Sequence, residues 1–166
     1  MQKNQTVIHT IPPVFDQHSK ILLLGTMPSP KSREVGFYYG HPQNRFWKIL
    51  AALFSCEVPD TTAARTEFLL SRHIALWDVL ASCEIRGADD GSIKKPVVNN
   101  IGKILQSADI RAIFTTGSKA YRIYSRYCLP QTEVQAKALP STSPANCRFY
   151  TFEKLLEEYK IILQYI

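Results

Sequence analysis

The feature that most constrains this chain is an alternation of short apolar runs with amphipathic segments of helical spacing. Lys20-Ile-Leu-Leu-Leu-Gly25 is a continuous apolar run ending in glycine, the pattern of a strand buried on both faces. His73–Leu80 and Ile110–Thr116 read the same way, and Val134–Leu139 is a weaker fourth strand. Between them, Phe46, Trp47, Leu50, Leu53 and Phe54 recur at helical spacing. Asn99 or Asn100 is placed to cap a helix carrying Ile101, Ile104 and Leu105. Gly117-Ser118 turns the third strand into a helix through Tyr121, Ile123 and Tyr124. At the end of the chain Phe152, Leu155, Leu156, Tyr159, Ile162 and Leu163 line one face of a helix, with most charges elsewhere. Strands alternating with helices imply an α/β fold whose mostly parallel sheet is covered on both faces. A length of 166 residues suits one domain, with residues 1–19 an N-terminal extension packed on it.

In such sheets ligands bind beyond the carboxyl ends of the strands. The unusual segments of this chain fall there: Thr26-Met-Pro-Ser29, Trp77-Asp78, Thr115-Thr-Gly117 and Pro140-Ser-Thr-Ser-Pro-Ala-Asn146. Four loops are therefore expected on one rim. That rim is rich in hydroxyls and amides, which suit phosphate oxygens. Asp78 is its only carboxylate at a strand end, and Glu84, Asp89 and Asp90 read as a solvated polar loop. The densest stretch is Phe37-Tyr-Tyr-Gly-His-Pro-Gln-Asn-Arg-Phe-Trp47. Aromatic faces stack on bases, and side-chain amides pair with base edges. Phe46 and Trp47 fit the helical core stripe, whereas Tyr38, Tyr39 and Asn44 fall on the loop or first turn. His41 precedes Pro42 and is extended.

Composition limits the function classes. Twenty Lys and Arg stand against 14 Asp and Glu, a net charge of +6 that permits a polyanionic partner without requiring one. The cations expected beside the rim are Arg45, Lys48, Lys119, Arg122 and Arg148. No apolar run approaches the roughly 20 residues of a membrane helix, and the start of the chain has no apolar core of a signal peptide. Cys56, Cys83, Cys128 and Cys147 have no metal-ligand spacing, so reduced, buried thiols in a cytoplasm are expected, with no metal. Ser29 is not in a Gly-x-Ser-x-Gly elbow, and a hydrolase built on Ser29 or Ser143 lacks a His–acid pair. Neither glycine-rich nucleotide motif is present, so no cofactor is expected.

Gly25-Thr-Met-Pro-Ser29, Tyr39-Gly-His-Pro-Gln-Asn-Arg-Phe-Trp47 and Leu139-Pro-Ser-Thr-Ser-Pro-Ala-Asn146 together resemble the uracil-DNA glycosylase superfamily, most of all its hypoxanthine-DNA (deoxyinosine) glycosylases. Ala75-Leu-Trp-Asp-Val79 and Gly117-Ser-Lys-Ala-Tyr121 add to the likeness, which runs from about residue 20 to the last helix. The resemblance implies a three-layer α/β/α sandwich and a monofunctional enzyme that flips a deaminated base from double-stranded DNA and leaves an abasic site. It implies a monomer, working in the cytoplasm at the nucleoid. By similarity Asn44 is the catalytic residue, and Gly25, Thr26, Met27, Pro28, Ser29, Tyr39 and His41 bind the base. Ser141, Thr142, Ser143, Pro144, Ala145, Asn146, Arg148 and Lys119 contact DNA. Met27 stands where many superfamily members carry Asn or Asp, and Ala145 where many carry a bulky wedge. The alternatives are a mismatch-type uracil or thymine glycosylase and an inactive DNA-binding module.

Overall fold

The computed structural model describes residues 3–166. The chain opens with strand β1 (Gln5–Ile8) and passes through an extended segment to β2 (Ile21–Gly25), whose five residues are all buried. Helix α1 (Pro30–Val35) follows. Ser29 caps it, with its Oγ accepting from the Ser32 amide at 3.2 Å, and Pro30 sits in the first turn. The helix ends at Gly36, whose φ of 80° is the left-handed conformation that closes many helices. Next come α2 (Phe46–Leu53), α3 (Thr62–Ser71) and β3 (Ile74–Asp78). After a single residue the chain enters β4 (Leu80–Arg86), turns, and returns as β5 (Asp89–Val98). Then follow α4 (Gly102–Ser107), β6 (Ala112–Thr116) and α5 (Ser118–Ile123). A π-helical turn at Tyr124–Cys128, α6 (Leu129–Thr132), β7 (Ala136–Leu139) and α7 (Phe152–Tyr159) complete the chain, which ends in a 3-10 segment, Lys160–Gln164.

Two sheets organise these elements. The main one is wholly parallel, in the order β3-β2-β6-β7. Leu22 lies between Ala75 and Ile113, and Leu24 between Trp77 and Thr115. Such strands need apolar residues on both faces, and Ile21–Leu24 are fully buried. Helix α3 packs on β3, α5 packs on β6 and β7, and α2 packs on α7. The result is the α/β sandwich expected from the alternation of elements. Phe46 and Trp47 enter its core, at 0% and 3% exposure.

The second sheet, β1-β4-β5, is antiparallel and was not legible as strands. Its β4–β5 hairpin occupies the stretch read as a solvated polar loop, because few of its side chains reach the core: β5 has no fully buried residue. Several smaller expectations also change. Asn99 does not cap α4, which begins from Ile101. The Asn99 side-chain amide instead donates to the carbonyls of Asp78 and Leu80, at 2.9 and 3.0 Å, and so ties β3 to β4. The final helix tightens to 3-10 geometry after Tyr159, which changes the register and leaves Leu163 43% exposed. Cys83 and Cys128 are buried thiols, whereas Cys147 is exposed because it lies in the surface loop before α7. The N-terminal segment is fastened by β1 pairing with β4, by a bridge from Val14 to Leu76, and by buried Ile11 and Val14. No helix among the described residues is long and apolar enough to cross a membrane.

Candidate active site

A cavity of about 290 Å3 opens at the carboxyl ends of the parallel strands, close to the lower end of small-molecule pockets. Its wall is made by Gly25 to Ser29 after β2, Asp78 at the end of β3, Thr116 at the end of β6 and Ser141 to Ala145 after β7. The segment holding Tyr39, His41 and Asn44 closes one side. The tip of the β4–β5 hairpin, with Gly87, Ala88 and Asp90, closes another.

Asn44 is held by an unusually definite set of bonds. Its Oδ1 accepts from the Phe46 backbone amide at 2.9 Å and from the Thr142 hydroxyl at 2.8 Å. A backbone N–H can only donate, so the atom facing it must be the amide oxygen. Both oxygen lone pairs are then engaged, and Nδ2 remains as a two-proton donor on a residue that lines the cavity. Thr142, expected as a DNA contact, is 1% exposed, and its hydroxyl is spent on Asn44. The same loop is pinned from the other side, since the Arg45 amide donates to the Thr142 carbonyl at 3.1 Å. The Arg45 guanidinium turns inward and donates to the Tyr150 carbonyl at 2.6 Å, with its other two nitrogens buried. Arg45 therefore braces the loop and is not the rim cation its sequence position suggests.

Tyr39 adopts a left-handed backbone conformation, φ 52°, which a bulky residue holds only when its surroundings force it. Its ring stacks on Phe46 at 3.9 Å between centroids, and its hydroxyl shares a 2.8 Å hydrogen bond with Thr116. Burial, and then the negative charge of Asp78, push this phenol far above its ordinary range, so it stays protonated. Gly25 is required by close approach: a Cβ there would collide with the Asp78 carboxylate and stand 2.9 Å from the Tyr39 hydroxyl. Asp78 forms the floor at 4% exposure, and its Oδ2 accepts from His9 Nε2 at 2.8 Å. The N-terminal extension thus reaches the site, which nothing in the residues around His9 announced.

The other expected residues are placed as follows. Thr26, Met27 and Pro28 line the cavity, and Met27 is half-buried. Ser29 lines it too, but its hydroxyl is spent on capping α1 and on donating to Ser32 Oγ at 3.1 Å. His41 is exposed at the edge, and its Nδ1 accepts from the Gln43 amide at 3.1 Å, which leaves Nε2–H as a donor in the neutral ring. Ser141, Ser143, Pro144 and Ala145 form the lip. Asn146 braces it by donating from Nδ2 to the Ser141 carbonyl at 2.9 Å. Arg148 is exposed in the loop beyond, and Lys119 is half-buried in the first turn of α5. Neither Ser29 nor Ser143 is hydrogen-bonded to a histidine or a carboxylate among the described residues.

Asp90 is the pocket residue that sequence reasoning missed. It belongs to the second sheet, yet it lines the cavity beside Thr26. Burial of its carboxyl among the pocket walls and the nearby Asp78 charge push it up to about 6, against the Thr26 hydroxyl and Lys119, which favour the charged form.

Known proteins resemble this chain in sequence and fold. A profile of the uracil DNA glycosylase superfamily matches residues 12–166. A hypoxanthine DNA glycosylase of Methanosarcina barkeri is 31% identical over 82% of this chain and 87% of its own. A protein of the same name from Methanosarcina acetivorans is 31% identical over 83% and 87%. A solution structure from Methanosarcina acetivorans, provisionally named a uracil DNA glycosylase, superposes with a TM-score of 0.79. It has 26% identity and covers 96% of this chain and 99% of its own. With the rim loops on one cavity and the match running through nearly the whole chain, this protein belongs to the uracil DNA glycosylase superfamily.

Proposed function

We propose that the protein is a hypoxanthine-DNA glycosylase: it flips deoxyinosine out of double-stranded DNA and hydrolyses the N-glycosidic bond, leaving an abasic site. The observation that carries the reading is Asn44, whose amide is locked with Nδ2 as a donor in a base-sized cavity. Departure of the base places negative charge on it. A preorganised donor stabilises that charge without reorganising at the moment of reaction. Hypoxanthine and uracil both carry the carbonyl that such a donor meets, and the names of the two Methanosarcina relatives favour hypoxanthine. Met27 agrees, since the first loop offers no polar side chain at its centre. A mispaired base is also cheaper to extrude, which adds to selectivity.

Ser141, Ser143, Pro144, Ala145, Asn146, Arg148 and Lys119 form the proposed DNA-facing lip. No lysine lines the cavity among the described residues, which supports a monofunctional enzyme that forms no Schiff base. It acts as a monomer on nucleoid DNA in the cytoplasm. The test is base release from duplexes bearing deoxyinosine, deoxyuridine or deoxyxanthosine, with Asn44→Ala beside the parent. Deoxyinosine is expected to be cleaved fastest, and Asn44→Ala to lose on the order of 100-fold or more. Release of no base from any substrate would overturn the reading in favour of an inactive DNA-binding module. Faster release of uracil would move it to the mismatch-type uracil enzymes.

A further inference from the structure

The site as described has a donor for the leaving base but no group to receive the proton of the attacking water. Met27 has none. Asn44 has both oxygen lone pairs engaged. Asp78 is at the floor, 4% exposed and bonded to His9. The second carboxylate of the cavity comes from the other sheet. Asp90 follows the Gly87-Ala88 turn of the hairpin, and those two residues line the same cavity. It lines the cavity and is exposed to solvent as a residue, so it stands at the mouth. A flipped nucleotide inserts its base deepest and leaves its sugar with the backbone, at the mouth.

We propose that Asp90 is the catalytic carboxylate of this enzyme, facing C1′ of the flipped nucleotide and taking the proton from the attacking water. This rests on the glycosylase reading above. As the C1′–N bond lengthens, its electron pair leaves with the base and positive charge grows on the sugar, opposite the Asp90 carboxylate. The water oxygen bonds to C1′, and its proton passes to Asp90. The base anion takes a proton from solvent, and Asp90 returns its own. One water is consumed and nothing is oxidised. The charges of Asp78 on β3, Asp89 on β5 and Lys119 on α5, and the Thr26 hydroxyl after β2, act on this carboxyl. Together with burial they leave it more basic than an ordinary aspartate and still ionised at neutral pH, which suits a general base.

The experiment compares Asp90→Asn with the parent in single-turnover release of hypoxanthine from a deoxyinosine duplex. The rate is expected to fall about 100-fold or more. The acid limb of the parent's pH–rate profile, near pH 6, is expected to vanish with it. Affinity for a duplex carrying a tetrahydrofuran abasic analogue is expected to stay within about threefold. Formate is expected to restore part of the rate to Asp90→Ala. Folding is checked by thermal unfolding. A carboxyl raised in the folded state favours stability below its unfolded value near 4 and loses that contribution as pH rises through about 6. Asp90→Asn should therefore not lower the melting temperature at pH 7.5. An Asp90→Asn rate within about threefold of the parent would overturn the proposal, as would a rate loss matched by equal loss of duplex affinity. If the parent itself releases no base, the glycosylase reading fails first. If the parent and Asn44→Ala behave as expected and Asp90→Asn does not, only the role of Asp90 fails.

Discussion

Asn44 shows how one side chain acquires a direction. An isolated asparagine in a loop presents donors and acceptors alike. Here a backbone amide and a buried threonine hydroxyl claim the oxygen, so the cavity meets only N–H. Thr142→Val keeps shape but removes one of the two bonds. We expect it to lower deoxyinosine release about tenfold, equivalent to roughly 1.4 kcal/mol of lost transition-state stabilisation. Duplex affinity should remain unchanged, because the hydroxyl is too buried to reach a phosphate. Single-turnover rates and binding to an abasic analogue separate the two effects. The sequence named Asn44 through its neighbours His41 and Pro42 and through family likeness. It could not say which end of the amide faces the cavity, since that depends on the folded backbone that brings the Phe46 amide and, across 98 residues, the Thr142 hydroxyl to one oxygen.

At the scale of elements, two loops carry what a strand or helix pattern does not announce. The β4–β5 hairpin is polar because most of it lies over solvent, so its sequence has neither clear alternation nor apolar runs. Only its pairing to β1 and its continuation from β3 bring Asp90 over the cavity. The lip after β7 is the other case. Pro144–Asn146 is wound as a short 3-10 turn, and the Phe149 and Tyr150 amides continue it by donating to the Asn146 carbonyl. Phe149 therefore stands about one helical turn beyond Ala145, and it is 72% exposed. Ala145 is too small to fill the gap left by a flipped base, and an exposed ring on the same lip is the kind of apolar wedge that inserts between base steps. Phe149→Ala is expected to slow release from a fully paired duplex by about tenfold while leaving a single-stranded deoxyinosine substrate within about twofold, since only the duplex must be held open. Parallel assays on the two substrates check this. Equal loss on both would place Phe149 in folding, not in DNA opening.

Across the whole molecule, the excess of six positive charges is unevenly useful. Lys160 is paired with Glu157 at 2.6 Å and lies on the last helical segments, as does exposed Lys154. Arg45 is turned inward. Lys48, Arg122 and Arg148 are exposed, and Lys119 is half-buried with its charge acting on Asp90 of the cavity. Neutralising Lys119 and Arg148 should weaken duplex binding for every sequence and reduce the slope of log affinity against log salt by about 1 each. Neutralising Lys154 and Lys160 should leave that slope unchanged, and a salt titration of binding reads the difference. The sequence by itself determined the parallel sheet, because a strand buried on both faces must be apolar along its length, and it brought the loops after those strands to one rim, where they line the cavity. Local patterning acts over a few residues and reaches no further. The direction of the Asn44 amide, the inward turn of Arg45, the reach of His9 to Asp78 and the place of Asp90 were decided by the tertiary structure, since each depends on residues far apart in the chain being packed into one low-dielectric cavity.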